Sequence, residues 1–300
     1  MLRETLEDII ATDGGRLAVT SADAAYSWCA ALTASHYENF PVASVLLPAN
    51  MRPHIAAVYA FARYADDAAD EPWTTSGEDR LRILSGLASL IDLAASRPHA
   101  TGNPILVALS HTMAYRRLSP APFHDLLEAF RRDVQFRPPQ SWEDVIDYCG
   151  YSANPVGRLV LQIAGIHSSS ALAASDSVCT ALQLVNFWQD LSVDVPRGRC
   201  YIPTSMLHDL GRYGALAECF RRTHDLFQHG LTIRQHVPLG RLRIELQVIA
   251  RGGMTVLRRC EELEDACWSV RPTLRRSDYL SVMFQVVLDT IRPAFRKSTS

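Results

Sequence analysis

The residues best suited to chemistry fall in two acidic stripes. Within Ala56–Glu71, Tyr59, Arg63, Asp66 and Asp70 stand at i, i+4, i+7 and i+11. That spacing places all four on one side of a helix. Asp67 and Glu71 repeat the i, i+4 relation on a neighbouring strip. Within Ala181–Asp194, Gln183, Asn186, Asp190 and Asp194 stand at i, i+3, i+7 and i+11, among Leu182, Leu184, Val185, Phe187, Trp188 and Leu191. Carboxylates one turn apart repel each other unless a cation lies between them. Oxygen-only donors of this kind suit Mg²⁺, which takes one or two carboxylates plus substrate phosphates and keeps several waters. Arg63 reads as a phosphate partner or an internal counter-ion. The segment Val195–Pro203 adds Arg197, Arg199 and Tyr201 just past Asp194. Basic groups beside an acidic metal site make sense for a diphosphate bridged by metal ions.

A plain solvated face is the simpler explanation of each stripe, since an amphipathic helix needs a polar side. Two features weigh against it. The stripes are narrow, and the other faces are too apolar for ordinary surface helices. Two such stripes facing each other would bound a cavity that is wet and acidic at one end and apolar elsewhere.

The elements that must position these residues are helices. Apolar spacing is helical nearly throughout, and no alternating strand pattern with hairpin turns appears. Ser76 with Asp79, and Ser141 with Asp144, mark helix starts, as does Asn103-Pro104. Prolines cut the chain into roughly ten helical blocks of about 12–25 residues. Asn154-Pro155 predicts a kink inside one of them. No linker, composition shift or fixed repeat divides the chain. The expectation is one helical domain over residues 1–300, with 1–20 as a loosely held extension.

Composition agrees with that class and excludes others. The 300 residues carry 30 Lys+Arg and 32 Asp+Glu, a net charge of −2, with 48% apolar residues. A disordered chain would be less apolar or more charged. A binder of nucleic acid needs a positive field, so none is expected as a partner. No stretch approaches the roughly 20 apolar residues that span a bilayer. Glu4, Glu7 and Asp8 make the start unlike a secretory or transit sequence, and seven scattered cysteines suit reduced thiols, so a cytoplasmic setting is expected. The paired arginines Arg116-Arg117, Arg131-Arg132, Arg221-Arg222, Arg258-Arg259 and Arg275-Arg276 read as exposed helix faces. Glu-x-x-His pairs, H-E-x-x-H, a phosphate-binding G-x-x-x-x-G-K-[ST] loop and G-x-G-x-x-G are all missing, so di-iron, zinc-protease, P-loop and nicotinamide chemistry have no support.

Tyr59-x-x-x-Arg63-x-x-Asp66-Asp67-x-x-Asp70-Glu71, followed by Gln183-x-x-Asn186-x-x-x-Asp190-x-x-x-Asp194, resembles the squalene/phytoene synthase family. Gly198–Pro203 fits the same family. His36–Ser44, Tyr148–Arg158 and Asn186–Asp190 look like the hydroxysqualene synthases of the bacterial hopanoid/squalene route. The resemblance implies an all-α isoprenoid synthase-type bundle around a central cavity. It implies that Asp66, Asp67, Asp70, Asp190 and Asp194 hold Mg²⁺ and the diphosphate. Tyr59, Arg63, Gln183, Asn186, Arg199 and Tyr201 would line the same end as catalytic groups.

Many relatives carry Arg where this chain has Gln189, and Ser where it has Asn39. Both departures fit an enzyme acting on presqualene diphosphate more than one condensing two farnesyl diphosphates. The implied reaction is ionisation of presqualene diphosphate, rearrangement of the cation and capture by water, with Tyr151, Ser152 and Asn154 as candidates to position that water. No NADPH site is recognised. Condensation of two prenyl diphosphates, to presqualene diphosphate or phytoene, is the alternative reaction. A non-catalytic helical lipid-binding protein is the alternative of another class. Expected partners are the prenyl diphosphate, a membrane surface touched peripherally, and the neighbouring presqualene diphosphate synthase and flavin-dependent hydroxysqualene oxidoreductase. No basic amphipathic helix in the sequence marks the membrane contact.

Overall fold

The computed structural model describes residues 18–35, 46–70, 76–98, 100–238 and 240–291. Glu71 and the segment His36–Ser44 lie outside them, as do residues 1–17. Thirteen α-helices form among the described residues, and no strand does. They are α1 (Ala22–Ser35), α2 (Arg52–Asp70), α3 (Gly77–Ser96), α4 (Pro104–Arg116), α5 (Ala121–Val134), α6 (Trp142–Ser152), α7 (Asn154–Ile163), α8 (Ser169–Gln189), α9 (Leu191–Asp194), α10 (Thr204–Gly230), α11 (Ile233–His236), α12 (Arg241–Leu263) and α13 (Arg276–Ile291). Short 3₁₀ turns cover Val195–Arg197 and Glu264–Trp268.

The starts follow the local chemistry. Ser76 Oγ accepts the Asp79 amide at 3.2 Å, and Ser141 Oγ accepts the Asp144 amide at 3.1 Å. Asn103 Oδ1 accepts two amides, from Ile105 and Leu106, ahead of Pro104 at the first helical position. At Asn154-Pro155 the expected kink is a full break. Helix α6 ends at Ser152 and α7 starts at Asn154, so Pro155 sits in a first turn, where its missing N–H costs nothing.

The chain divides into two compact units, Met1–Arg137 with Asp147–Leu172, and Pro138–Ile146 with Ala173–Ser300. In the first, α2 packs against α1, α3, α4, α5 and α7. Its composition makes this possible. Ala57, Ala60, Ala65 and Ala68 are fully buried and let neighbouring backbones approach, while Phe61 meets Phe123 edge-to-face at 5.4 Å. A polar cluster crosses this core. Tyr26 Oη of α1 lies 3.0 Å from His54 Nδ1 of α2, and 2.9 Å and 2.8 Å from His111 Nδ1 and Thr112 Oγ1 of α4. Burial, with help from Arg116 and His111, lowers His54 to about 4, and burial pushes the Tyr26 hydroxyl up to about 12.

In the second unit α8, α10 and α12 meet at Gly253. A β-carbon there would overlap the Leu182 side chain of α8 and come within 2.7 Å of Phe227 of α10, so any larger residue must displace these side chains. Trp188 is fully buried, and its indole N–H donates to Thr223 Oγ1 at 2.9 Å. Arg259 departs from the exposed role expected of it. It turns inward onto Asp278, at 2.7 Å, because Asp278 also caps α13 by accepting the Arg275 amide and needs a counter-charge where it is buried. Five of the seven cysteines (Cys29, Cys149, Cys219, Cys260 and Cys267) are buried as small core residues. No helix among the described residues is long and apolar enough to cross a membrane.

Candidate active site

Helix α2 is buried on nearly every side between Ile55 and Ala69. Only Tyr59, Ala62, Arg63 and Asp66 are partly open, at i, i+3, i+4 and i+7. The first stripe is therefore a slot in a core helix rather than the wet half of a surface helix. Asp66 is 47% exposed and lies 3.7 Å from Arg63 Nη1. Asp67 takes a different position. Its carboxylate is 4% exposed and receives Arg63 Nη2 at 2.7 Å. Asp67 thus fixes the guanidinium, and Asp66 stays turned to the opening. Asp70 is the last residue of the helix, one turn beyond Asp66.

The second stripe has the same signature. On α8, Cys179, Leu182, Gln183 and Asn186 are open or half-open, while Ala181, Leu184, Val185, Phe187, Trp188 and Gln189 are buried. The expected single helix through Asp194 is interrupted. Asp190 has φ −98° and ψ 9°, a sparsely populated conformation, and α8 stops before it. Hydrogen bonds from the Asp190 amide to the Asn186 carbonyl (2.9 Å) and from the Asp194 amide to the Asp190 carbonyl (2.8 Å) still keep the carboxylate positions one turn apart. Beyond them Gly198 adopts φ 82°, a left-handed conformation that favours glycine. This reversal returns the chain, and the Arg199 amide donates to the Asp194 carbonyl at 2.9 Å. Tyr201 then stacks on Phe187 with ring centroids 3.7 Å apart and planes 5° from parallel. The structure so gathers Asn186, Asp190, Asp194, Arg199 and Tyr201 at one end of α8. Arg197 is exposed.

One member of this group lay beyond reach of local spacing. Arg271 Nε donates to Asp190 Oδ1 from 81 residues along the chain. That hydrogen bond, reinforced by the charges of Asp190 and Asp194, raises its already high pKa. The side chain of Gln189 is buried and donates through Nε2 to the Pro272 carbonyl at 2.8 Å, which pins the segment carrying Arg271. The signal in the sequence is only an Arg-Pro step between two helices.

The donors at both stripes are oxygens, partly open to water, which is the chemistry a hard divalent cation takes. Among the described residues no three His, Cys, Asp or Glu side chains come together to enclose a metal by themselves. Open carboxylates such as Asp66, Asp190 and Asp194 suit an ion that completes its shell with water and substrate oxygens.

The squalene/phytoene synthase family model matches residues 33–278. A hydroxysqualene synthase of Zymomonas mobilis is 38% identical over 232 residues, covering 71% of this chain and 75% of that protein. One from Rhodopseudomonas palustris is 36% identical, with the same shares covered. Among solved structures, squalene synthase HpnC from Alicyclobacillus acidocaldarius superposes with a TM-score of 0.75 at 36% identity, covering 81% of this chain and 95% of that one. A dehydrosqualene synthase gives a TM-score of 0.76 at 19% identity, covering 91% and 98%, a likeness of fold alone. The all-α arrangement is the isoprenoid synthase type. With the family model spanning both acidic stripes, the chain belongs to the squalene/phytoene synthase family.

Proposed function

We propose that the chain converts presqualene diphosphate and water to hydroxysqualene and diphosphate. The observation that carries this reading is the pair of partly open carboxylate stripes on otherwise buried helices, in a chain whose relatives include hydroxysqualene synthases. On this reading Asp66 and Asp70, and Asp190 and Asp194, are the residues that would hold Mg²⁺. When bound, the ion supplies positive charge against the departing diphosphate. Asp67 holds Arg63 in place, and the Arg63 guanidinium serves as a further cation for phosphate oxygens. Tyr59, Gln183 and Asn186 present polar groups along the two slots. Phe187 fixes the Tyr201 ring by stacking, and Arg199 is placed by its backbone tie to Asp194.

The carbon–oxygen bond to diphosphate breaks with its electron pair leaving on the phosphate. The cyclopropylcarbinyl cation rearranges, a water oxygen bonds to the resulting allylic carbon, and the water proton passes to solvent. Apolar walls must exclude other waters, because early capture gives a different alcohol. Product analysis tests the assignment. Purified protein with Mg²⁺ and presqualene diphosphate is expected to yield hydroxysqualene. Formation of presqualene diphosphate or phytoene from prenyl diphosphates would overturn it in favour of the condensing reaction.

A long-chain, uncharged alcohol as product also calls for a lipid surface. Helix α13 exposes Tyr279, Leu280, Met283, Phe284 and Val287 along one side, with Arg275 and Arg276 exposed at its start. Apolar side chains flanked by cations suit an anionic bilayer surface. We expect the double variant Leu280→Glu/Phe284→Glu to pellet with phosphatidylglycerol vesicles about fivefold less than the parent chain. Equal pelleting would remove α13 from the membrane contact.

A further inference from the structure

We propose that Arg271 is a diphosphate-binding residue, parked on Asp190 and aimed by Gln189. This rests on the reading of the second stripe as a diphosphate site. The segment between the 3₁₀ turn at Glu264–Trp268 and α13 is tied at three places. Ser269 and Val270 amides donate to the Ala266 carbonyl at 3.0 and 2.8 Å. Gln189 holds the Pro272 carbonyl, and Asp278 holds the Arg275 amide. Arg271 sits between the first two ties, so its backbone is fixed while its side chain reaches out to the acidic end of α8.

The pairing itself is not a stabilising core contact. Arg271 is 42% exposed and Asp190 31% exposed, and pairs this wet contribute little to folding. Only Nε of the guanidinium is engaged with Asp190. Its Nη1 and Nη2 have no partner among the described residues. A planar fork of donors, held beside two carboxylates by a buried glutamine, is suited to phosphate oxygens, which take Arg in bidentate fashion. Asp190 serves meanwhile as the resting partner that keeps the fork near the place where phosphate would arrive. Gln189 acts through Arg271 and is a positioning residue.

Calorimetric titration of the full chain with inorganic diphosphate in the presence of Mg²⁺ tests this. The parent chain is expected to bind. Arg271→Gln is expected to bind at least about tenfold more weakly, with an unchanged melting temperature, and Arg271→Lys to fall between. Gln189→Ala is expected to weaken binding about threefold in the parent chain and not at all in the Arg271→Gln background, the non-additivity that marks action through one group. A purely structural Gln189 would shift the melting temperature and leave diphosphate affinity alone. Arg271→Gln binding diphosphate as tightly as the parent overturns the role of Arg271, with the stripe's function intact. An additive Gln189→Ala effect overturns the positioning role. No binding by the parent chain overturns the diphosphate site itself, and this proposal with it.

Discussion

Asp190→Ala and Asp66→Ala are each expected to lower turnover of presqualene diphosphate on the order of 10³-fold, about 4 kcal/mol of barrier. Ionisation of a diphosphate develops charge on the leaving group, and a site loses that much when one preorganised electrostatic contact goes. Neither carboxylate holds the fold together. Asp66 is about half exposed and contributes a wide i, i+3 pair with Arg63 at 3.7 Å, a contact worth about 0.5 kcal/mol or less. Asp190 makes no side-chain cap for α9, and the local helix is kept by backbone bonds. Far-UV circular dichroism and the melting curve should therefore stay as in the parent. Asn at either position separates charge from shape. Asp190→Asn retains an acceptor for Arg271 but loses the charge, and should be nearly as inactive as Ala. Turnover surviving both Ala variants would sink the metal-clamp reading and favour a non-catalytic lipid-binding protein.

Acid is expected to weaken the first unit through His54. Its side chain is 6% exposed, and burial together with Arg116 and His111 lowers its pKa from 6.5 to about 4. The neutral ring is thus the folded form, while the unfolded chain binds a proton below about pH 6.5. The unfolded state binds more protons throughout this window, so stability is full above pH 6.5 and falls as pH drops towards 4. The whole difference amounts to about 3 kcal/mol. Tyr26 and Thr112, both against Nδ1, leave little room for water to solvate a charged ring. His54→Asn keeps a polar atom near the Nδ1 position and removes the titration. Urea melts at pH 7 and pH 4.5 should show a smaller drop for the variant than for the parent. Identical drops would mean that His54 charges freely in the folded chain.

Much of this was legible in the residue string because it rests on local rules. The caps at Ser76, Asn103 and Ser141 need only a side chain and the next turn. The narrow stripes on α2 and α8 follow from 3.6-residue periodicity, and the alanines around Tyr59 and Arg63 already implied burial. What escaped was set by contacts distant in sequence. Arg63 has a carboxylate in reach at both i+3 and i+4, and only the packing around the helix decides that Asp67 points inward while Asp66 points out. The break at Asp190 lies within a helical pattern and is a matter of backbone conformation. Arg271 reaches Asp190 from 81 residues away, and Arg259 turns inward only because Asp278 is buried opposite it. Spacing could not see such pairs, since they depend on how helices pack.

The alanines of α2 have a consequence for how this chain can change over time. Ala57, Ala60, Ala65 and Ala68 have no exposed surface, and helices surround them. Any larger side chain there must push a neighbouring helix away, at a cost of about 1–3 kcal/mol each. The same push would rotate the slot that carries Tyr59, Arg63 and Asp66. Within the helix that bears the first acidic stripe, these four positions are thus the least tolerant of a larger residue, and change is more easily accommodated at the partly open positions.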